Sequence, residues 1–275
     1  MVPILTLTSD IGYKDYITGA IKGRLWQNNP AWQIADISHN ITPFNYNEAA
    51  YFVRSAYPHF PMYSWHIVLV NLFHSPSPRC LIAFQNGHFF ACADNGLLPM
   101  ILDEGPYECI VLPIAPENIA NSMAWMDAIG AAIQSVDNGT SLHLLGEEPE
   151  QIVTRSAVQP LLYDDYIESR IIFVDRFENV VVNVMKSDFD KVGRGRRFEI
   201  SFKNDDRITK ISEHYGSVPE GDKLAFFNTA GYLEIAVNKG NAAGLFGLQA
   251  FSGNAEEKFT NSRLFYQTVR IRFVD

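Results

Sequence analysis

The segment that decides the fold is ILTLTSDIGYKDYITGAIKGRL, residues 4–25. Residues 4–8 form an apolar, strand-like run that stops at a polar turn beginning with Ser9. Asp15 then precedes a helical face as a candidate N-cap. The apolar residues of that face recur at helical spacing: Ile17, Ala20, Ile21 and Leu25. The segment therefore predicts a β-strand that leads into an α-helix.

The same alternation continues along the first half of the chain. Residues 33–37 and 65–70 predict two further strands. Between them, Asn47 is a candidate cap for a helix whose buried face carries Ala50, Val53 and Tyr57. Strands that alternate with helices indicate a mostly parallel sheet covered by helices.

A hairpin and one more strand–helix pair complete this first region. Asn86-Gly87 lies between the apolar runs 80–84 and 89–93, and this dipeptide favours a tight hairpin turn. Residues 109–114 predict a strand and residues 122–136 a helix.

The pattern changes near residue 160. From Ile167 onward the chain consists of short alternating segments separated by turn residues, from RIIFVDRF to LFYQTVRIRF (residues 264–273), with no convincing helix between them. That pattern is typical of a small β-barrel or sandwich. We therefore predict an α/β N-terminal domain at residues 1–160, followed by a β-barrel C-terminal domain at residues 167–275.

Composition excludes several classes of function. The net charge of −9 and the pI near 5.3 argue against a nucleic-acid partner, which requires a basic surface. No apolar run approaches the roughly 20 residues that span a bilayer, so we expect no membrane association. The first ten residues lack a basic region, so we expect no signal peptide.

The cysteines and histidines suggest no metal centre. The three cysteines lie in apolar runs without CxxC spacing, which predicts buried thiols in a reducing cytoplasm. The histidines show no ligand spacing, so we expect no metal site. We expect a cytoplasmic protein.

Three motifs place polar or aromatic residues where a ligand could bind. In TSDIG, Asp10 follows the first strand and could accept both hydroxyls of a ribose diol, although it could equally form an Asx turn. In DRFENVVVN, residues 175–183, Phe177 offers a stacking face, although Asp and Asn in turns are usually structural. In GYLEIAVNKGNAAG, residues 231–244, small residues permit close approach of a flat ligand, or simply a tight barrel corner.

Together the motifs resemble those of a known family. TLTSDIG, DISHNITPFN, CADNGLL, VDRFENVVVN and GYLEIAVNKGNAA occur in this order between residue 4 and about residue 250. They are similar to those of the S-adenosylmethionine hydroxide adenosyltransferase family, relatives of the SAM-dependent fluorinase and chlorinase. The resemblance implies an α/β domain followed by a β-barrel. It also implies a homotrimer that binds SAM as substrate or ligand between one subunit's first domain and its neighbour's second, with no other cofactor.

The resemblance also implies roles for individual residues. In chain order they are the ribose-diol acceptor, an aromatic pocket wall, the partner of the methionine ammonium, the adenine stack, the adenine hydrogen-bond partner and two backbone contacts to the adenine edge. The matching positions are Asp10, Phe44, Asp175, Phe177, Asn179, Asn241 and Ala242.

The family's catalytic set is altered in VLVNLFHSPSPRC, residues 68–80. The family uses Asp, Arg and His. Here the Asp position reads Asn71, Arg79 lies one position out of register, and Ala124 stands where the family has its His. His74 is the candidate substitute, or else an exposed loop histidine.

These changes leave two main hypotheses. The first is SAM hydrolysis to adenosine and methionine with an altered catalytic set that includes Asn71, Arg79 and His74. The alternative is a catalytically inactive adenosine- or SAM-binding protein, and a purely structural trimer is a weaker third. Halogenation is not expected, because Trp125 occupies a position that is small in the halogenases.

Overall fold

The computed structural model describes residues 2–203, 206–246 and 268–274. The chain divides into two compact units, Met1–Ala157 and Val158–Asp275. Each unit has its own hydrophobic core, and each is described separately below.

A six-stranded mixed sheet forms the centre of the first unit. Its strands are β1 (Ile4–Ser9), β2 (Gln33–Ser38), β3 (Trp65–Leu69), β4 (Cys80–Gln85), β5 (His88–Ala93) and β6 (Glu108–Leu112). The spatial order is β2-β1-β3-β5-β4-β6. The first four strands in this order are parallel, and β4 runs antiparallel to both of its neighbours. The predicted mostly parallel sheet is confirmed.

Helices cover both faces of this sheet. They are α1 (Ile17–Asn28), α2 (Tyr46–Ala56), α3 (Leu98–Ile101) and α4 (Ser122–Asp137). On β3, Ile67 faces the core that contains α1 and α4, whereas Val68 faces the core that contains α2 and α3. Because successive strand residues point to opposite faces, a run that is apolar at every position requires a helix layer on each side.

The N-caps of α1 and α2 differ from the predicted ones by one and two residues, whereas α4 begins at Ser122 as predicted. Helix α2 is capped by Asn45, whose side chain accepts a hydrogen bond from the Glu48 amide, and Asn47 lies inside the helix. Tyr57 belongs to the short 3₁₀ helix that follows. Asp15 does accept a hydrogen bond from the Ile17 amide, at 2.9 Å, but lies one position before the N-cap. Asn45 and Asn47 are both suitable N-cap residues for α2, and tertiary packing selects Asn45.

The Asn86-Gly87 hairpin is confirmed. Both residues have positive φ, +52° and +80°, as a type I′ turn requires. The Gly87 Cβ position would lie 2.6 Å from the terminal methyl of Met62, an exposed side chain that can move, so the positive φ rather than space favours glycine there.

The second unit is a nearly closed antiparallel barrel. Its strands are β7 (Leu161–Leu162), β8 (Tyr166–Val174), β9 (Val180–Met185), β10 (Arg197–Lys203), β11 (Asp206–Ile208), β12 (Lys223–Phe227), β13 (Tyr232–Val237) and β14 (Thr268–Val274). The order is β11-β10-β14-β8-β9-β13-β12, and β7 pairs with β8. A bridge between Ile211 and Ala225 links the two ends of this path. The predicted β-barrel architecture is confirmed.

The expectation that no helix interrupts the second unit is wrong. Helix α5 (Lys186–Gly193) lies between β9 and β10, and α6 (Ala242–Leu245) follows β13. Phe189 and Val192 pack α5 against the barrel core, and Arg194 ends it at a left-handed φ of +51°. Two apolar contacts in eight residues give too weak a periodicity to predict. Of the predicted strand 264–273, residues 264–267 lie outside the described residues.

The cysteines are free thiols in the strands of the first unit. Cys80 and Cys92 are buried, and burial raises the pKa of both thiols. Burial also raises the pKa of Cys109 to about 12.

Among the described residues, no helix combines the length and apolar character that crossing a bilayer requires. Nor does the described part of the chain contain a group of three or more His, Cys, Asp or Glu side chains arranged for a metal ion.

Candidate functional site

Asp10 connects the loops that follow three neighbouring strands. It comes directly after β1, and its Oδ2 accepts hydrogen bonds from the backbone amides of Phe44 and Asn71, both at 3.1 Å. Phe44 lies in the loop after β2, and Asn71 in the loop after β3. The carboxyl ends of parallel strands in an open α/β sheet form the usual ligand-binding edge. The sheet therefore brings together three of the residues that the sequence singled out.

The loop that carries Asp10 is held by a buried polar contact. Ser9 Oγ lies 2.6 Å from Nδ1 of the fully buried His39, and the Gly12 amide donates to the His39 carbonyl at 2.7 Å. Within the described residues, Oδ1 of Asp10 accepts no hydrogen bond, so one oxygen of the carboxylate is available to a ligand. The backbones of Phe44 and Asn71 both have positive φ, +65° and +44°. Such conformations are uncommon for side-chain-bearing residues and concentrate at functional sites.

Asn71 is fixed by contacts to both its side chain and its backbone. Its Nδ2 donates to the Tyr46 hydroxyl at 2.6 Å. Its carbonyl accepts from Nδ2 of the buried Asn95 at 3.2 Å. The Arg155 guanidinium lies 4.5 Å from the centre of the Tyr46 ring and donates through Nε to the Asn95 carbonyl at 2.8 Å. Sequence patterns did not identify Tyr46 or Arg155, because their contribution depends on contacts between distant segments.

The Arg79 guanidinium contacts Asp94, which directly follows β5, and Gln151, in the segment before the second unit. Nε donates to Asp94 Oδ2 at 2.9 Å, a second guanidinium nitrogen contacts the same oxygen, and Nη2 donates to the Gln151 carbonyl at 2.7 Å. Asp94 is buried and also accepts from the Val153 amide at 2.8 Å. In the described part of the chain, Arg79 makes no hydrogen bond to Asn71 or His74.

His74 lies in a half-buried loop beside the start of α4. Its Nδ1 is buried without a hydrogen-bond partner among the described residues. The neighbouring Phe73 ring packs edge-on against Trp125, with 6.2 Å between centroids. Ala124 occupies the first turn of α4, where its amide donates to the capping side chain of Asn121. The loop after β3 therefore packs against α4, the helix that carries Ala124 at the position where the resemblance implies a histidine.

In the second unit, Asp175 holds a turn together. Its Oδ1 accepts from the amides of Phe177 and Asn179, both at 2.8 Å, and its Oδ2 accepts from Asn179 Nδ2 at 2.9 Å. Both oxygens are thus engaged, as in a structural Asx turn. The turn leaves Phe177 76% exposed.

Asn241 and Ala242 lie against this turn. Asn241 caps α6 by accepting from the Gly244 amide at 2.5 Å, and Ala242 is fully buried. The Ala243 amide donates to the Glu178 carbonyl at 2.8 Å, which joins the start of α6 to the turn 175–179. Asn183, by contrast, bonds the Arg170 amide and the Val158 carbonyl within the barrel.

A buried carboxylate lies behind Asn179. Asn179 Nδ2 donates to the Tyr215 hydroxyl at 3.2 Å, and that hydroxyl donates to Glu234 Oε1 at 2.8 Å. Asn228 Nδ2 donates to Glu234 Oε2 at 3.2 Å. Burial raises the pKa of Glu234, whose side chain is only 5% exposed, and burial also raises the pKa of Tyr215. An acidic residue inside the apolar strand YLEIAV was the sequence signal that could have identified this group.

Two solved structures share the fold of this chain. A conserved protein from Thermotoga maritima has a crystal structure that superposes with a TM-score of 0.78 at 21% identity, covering 98% of this chain and 99% of that chain. A conserved hypothetical protein from Thermus thermophilus superposes with a TM-score of 0.69 at 22% identity over the full length of both chains. The two-domain fold is therefore shared with these proteins.

The family follows from sequence comparison. Residues 5–146 match the SAM hydroxide adenosyltransferase N-terminal domain, and residues 169–253 match the C-terminal domain of the same family. The chain therefore belongs to the SAM hydroxide adenosyltransferase family, which confirms the resemblance that the motifs indicated.

SAM hydrolases and a fluorinase are similar to this chain at modest sequence identity. The chain is 27% identical over 268 residues to a (R)-S-adenosyl-L-methionine hydrolase from Methanocaldococcus jannaschii, covering 89% of this chain and 92% of that protein. It is 28% identical over 263 residues to a protein of the same name from Thermus thermophilus, covering 90% and 97%. It is 23% identical over 286 residues to a fluorinase from an Actinoplanes species, covering 90% and 95%.

Proposed function

We propose that this protein binds S-adenosylmethionine and hydrolyses it to adenosine and methionine. Membership of the family supports the ligand class, since relatives over nine-tenths of the chain are named SAM hydrolases. The geometry of Asp10 supports the binding mode. One oxygen is held by two backbone amides and the other remains for hydroxyl donors, which suits a ribose diol.

The proposed reaction is attack of water on the ribose 5′ carbon. A carbon–oxygen bond forms, the carbon–sulfur bond breaks, and its electron pair returns to the sulfur of methionine, which neutralises the sulfonium. Because this leaving group is already activated by its charge, the protein needs only to align one water and to accept its proton.

His74 is the residue that we propose as the proton acceptor. Its buried Nδ1 has no partner among the described residues, and an unsatisfied buried nitrogen of this kind calls for a water or ligand as its partner. Asn71 would orient the water, since an amide cannot take over the charge of the family's Asp. Arg79, which the motif resemblance suggests for this set although it lies one position out of register, would act through Asp94 and the loop backbone.

Binding without turnover is the second candidate function. Its support is specific: the Arg79 guanidinium is engaged by Asp94 and Gln151, and the Asn71 side chain is engaged by Tyr46. A site whose polar groups already have protein partners retains the ligand contacts of Asp10 but has little left to activate water.

The first experiment follows both possibilities in one sample. Purified protein is incubated with SAM, adenosine and methionine are quantified by chromatography, and SAM and adenosine binding are measured by calorimetry. Hydrolysis that falls at least tenfold in His74→Ala, with unchanged adenosine affinity, supports the hydrolase. The control is His143→Gln, an exposed histidine outside the site. Binding without product supports the second function, and absence of binding contradicts both.

We also propose a homotrimer in which the first unit of one copy and the second unit of the next supply contacts to one ligand. The support is family membership alone. Sedimentation or light scattering of the purified chain tests it, because a monomer would contradict the proposal.

A further inference from the structure

A buried group of serine, histidine and aspartate lies directly beside Asp10. Ser9 Oγ lies 2.6 Å from His39 Nδ1, and His39 Nε2 lies 3.1 Å from Asp36 Oδ1. Ser9 and His39 are fully buried, so a substrate has no access to the hydroxyl as a nucleophile. The imidazole is also reversed relative to a catalytic triad, in which Nε2 faces the serine. The group therefore calls for a role other than covalent catalysis.

The carboxylate of Asp36 fixes the tautomer of the His39 ring. Its Oδ2 accepts hydrogen bonds from Lys22 Nζ at 2.5 Å and from the Tyr13 hydroxyl at 3.0 Å. Partial burial acts to raise the pKa of Asp36, but its contacts with Lys22 and His39 lower it overall. The ionised carboxylate accepts only, so the ring nitrogen that faces Oδ1 must carry a hydrogen. The other tautomer would direct a lone pair of Nε2 at a negative oxygen.

The tautomer in turn decides how Ser9 is bonded. A neutral imidazole that carries its hydrogen on Nε2 presents a lone pair at Nδ1, so the Ser9 hydroxyl donates to His39. The Ser9 oxygen is then left as an acceptor, and it accepts from the Ile11 amide at 3.4 Å. Both the hydrogen and the oxygen of this fully buried hydroxyl therefore have partners.

His39 attaches both sides of Asp10 to the segment that follows β2. Before Asp10, the Ser9 side chain is bonded to the His39 ring, and the Ser9 carbonyl accepts from the Ile41 amide at 3.3 Å. After Asp10, the Gly12 amide donates to the His39 carbonyl at 2.7 Å. The backbone of Asp10 is therefore held between two contacts with the same residue.

This backbone anchor supplies what the two amides on the carboxylate do not. The amides of Phe44 and Asn71 both donate to Oδ2 of Asp10. Two hydrogen bonds to one oxygen leave the other oxygen free to swing about it, so the direction of Oδ1 depends on where the backbone of Asp10 lies. Oδ1 is the oxygen that would accept the ligand hydroxyls. Its direction consequently depends on His39.

We propose that His39 is a positioning residue that directs Oδ1 of Asp10 at the two hydroxyls of a ligand ribose. Asp36 keeps its ring in one tautomer, and Ser9 transmits its position to the backbone. The inference rests on the proposed adenosyl-binding function and adds the residues that act behind its diol acceptor. Because hydrogen bonds weaken with misalignment, loss of His39 should lower the affinity for ligands that carry both hydroxyls about tenfold. Ligands that lack the hydroxyls should be unaffected.

The test compares adenosine with 2′,3′-dideoxyadenosine, which lacks both hydroxyls, by calorimetry on the full chain. The wild type is expected to bind adenosine at least tenfold more tightly. In Ser9→Ala and His39→Gln this preference should fall about tenfold, while the affinity for dideoxyadenosine stays unchanged. Loss of folded protein would reduce the binding of both nucleosides alike, so the preference separates positioning from stability. A preference that both variants leave unchanged overturns the inference.

Ser55→Ala is the matched control. Ser55 lies in α2 of the same unit, and its hydroxyl has no hydrogen-bond partner among the described residues. The substitution therefore removes the same group as Ser9→Ala without breaking a link to Asp10, and the preference for adenosine should equal that of the wild type. An equal fall in the control would show a general loosening of the unit and would overturn the positioning role.

A measurement on the free protein separates this inference from the proposed function. Long-range ¹H–¹⁵N correlation spectra report which ring nitrogen of His39 is protonated, with the signals assigned by their loss in His39→Gln. The wild type should carry its hydrogen on Nε2. In Asp36→Asn the amide oxygen must face Lys22, which only donates, so the NH₂ group faces the ring and the hydrogen should move to Nδ1. A ring that keeps Nε2 protonated in this variant overturns the role of Asp36.

The two experiments fail in distinguishable ways. Failure of the wild type to bind either nucleoside overturns the proposed function, and with it the ligand role of His39. Equal wild-type affinity for the two nucleosides leaves adenosyl binding in place but overturns the diol contact of Asp10 and its positioning by His39.

Discussion

The two units each bury a cluster of titratable side chains, and the clusters differ in charge. In the first unit, Thr6 Oγ1 lies 2.8 Å from His66 Nδ1, and His66 Nε2 lies 3.1 Å from His88 Nδ1. Burial, together with the neighbouring His88, lowers the pKa of His66 to about 3, so this pair is neutral at pH 7. In the second unit, burial raises the pKa of Glu234. A histidine avoids the cost of burial by losing its proton, whereas a carboxylate must gain one.

The two buried clusters also differ in their distance from the candidate ligand contacts. His66 lies near the start of β3, among the rings of Tyr57, Phe60 and Phe90, and at the end of the sheet opposite to Asp10. Glu234 is connected through Tyr215 to Asn179, a candidate ligand contact. The neutral histidines serve the packing of the fold, and the costly carboxylate stands behind the candidate site.

The largest expected effect is acid sensitivity from His66. Its pKa is lowered from 6.5 to about 3, so its contribution to stability is fully present above pH 6.5 and is lost as the pH falls towards 3. The free energy of unfolding should fall over this window by at most about 4 kcal/mol from this group. Urea unfolding of the wild type and His66→Gln at several pH values measures the difference.

The exposed His143→Gln is the control for this prediction. If the wild type and His66→Gln lose stability in parallel between pH 6.5 and pH 4, the histidine pair does not distinguish the first unit from the second.

The next largest effect is a difference between Asp175 and Asp10 in how much each contributes to folding stability and to ligand binding. Asp175 accepts three hydrogen bonds and Asp10 accepts two, one of its oxygens remaining available. Asp175→Ala should therefore lower the free energy of unfolding by roughly 2–3 kcal/mol, more than Asp10→Ala does. Asp10→Ala should instead weaken adenosine binding by roughly 1–3 kcal/mol, because buried ribose hydroxyls would lose their acceptor. Chemical denaturation and calorimetry measure the two quantities.

Asp175→Asn sharpens this comparison, because it preserves an acceptor for the turn amides but removes the charge. A selective loss of SAM affinity, with adenosine affinity preserved, would show that Asp175 also pairs with the methionine ammonium. Equal stability losses in the two alanine variants would contradict the distinction between the aspartates.

The smallest expected effect is a gain in the free energy of unfolding of Glu234→Gln relative to the wild type as the pH rises. The folded-state pKa of Glu234 is raised, so its contribution to stability is fully present below the unfolded value of 4.5 and is lost as the pH rises through the folded-state value. Glu234→Gln should therefore become more stable relative to the wild type as the pH increases from 4 to 8. Urea midpoints across this range measure the change, and a constant difference would contradict the prediction.

Local sequence patterns were sufficient to predict much of the fold. The strand of residues 4–8, the Asn86-Gly87 turn and the helix α4 were predictable, because each depends on periodicity or on the backbone preference of neighbouring residues. Helix α5 was not predictable, because its two buried side chains gain their significance only from the barrel surface that they meet. The cap of α2 was displaced for a similar reason, since Asn45 and Asn47 are equivalent until packing chooses between them.

The features of the candidate site likewise divide into those given by the sequence and those given only by the tertiary structure. The sequence by itself determined which residues are present: Asp10, Phe177 and Asn179 in motifs shared with a family, and Asn71 and Ala124 where the family has acidic and imidazole groups. Only the tertiary structure decided what their atoms do. It joins Asp10 to Asn71 across two strands, commits Arg79 to Asp94, and places Glu234 behind Asn179. Hydrogen bonds have direction and short range, so their partners are set by the three-dimensional approach of distant segments rather than by residue type.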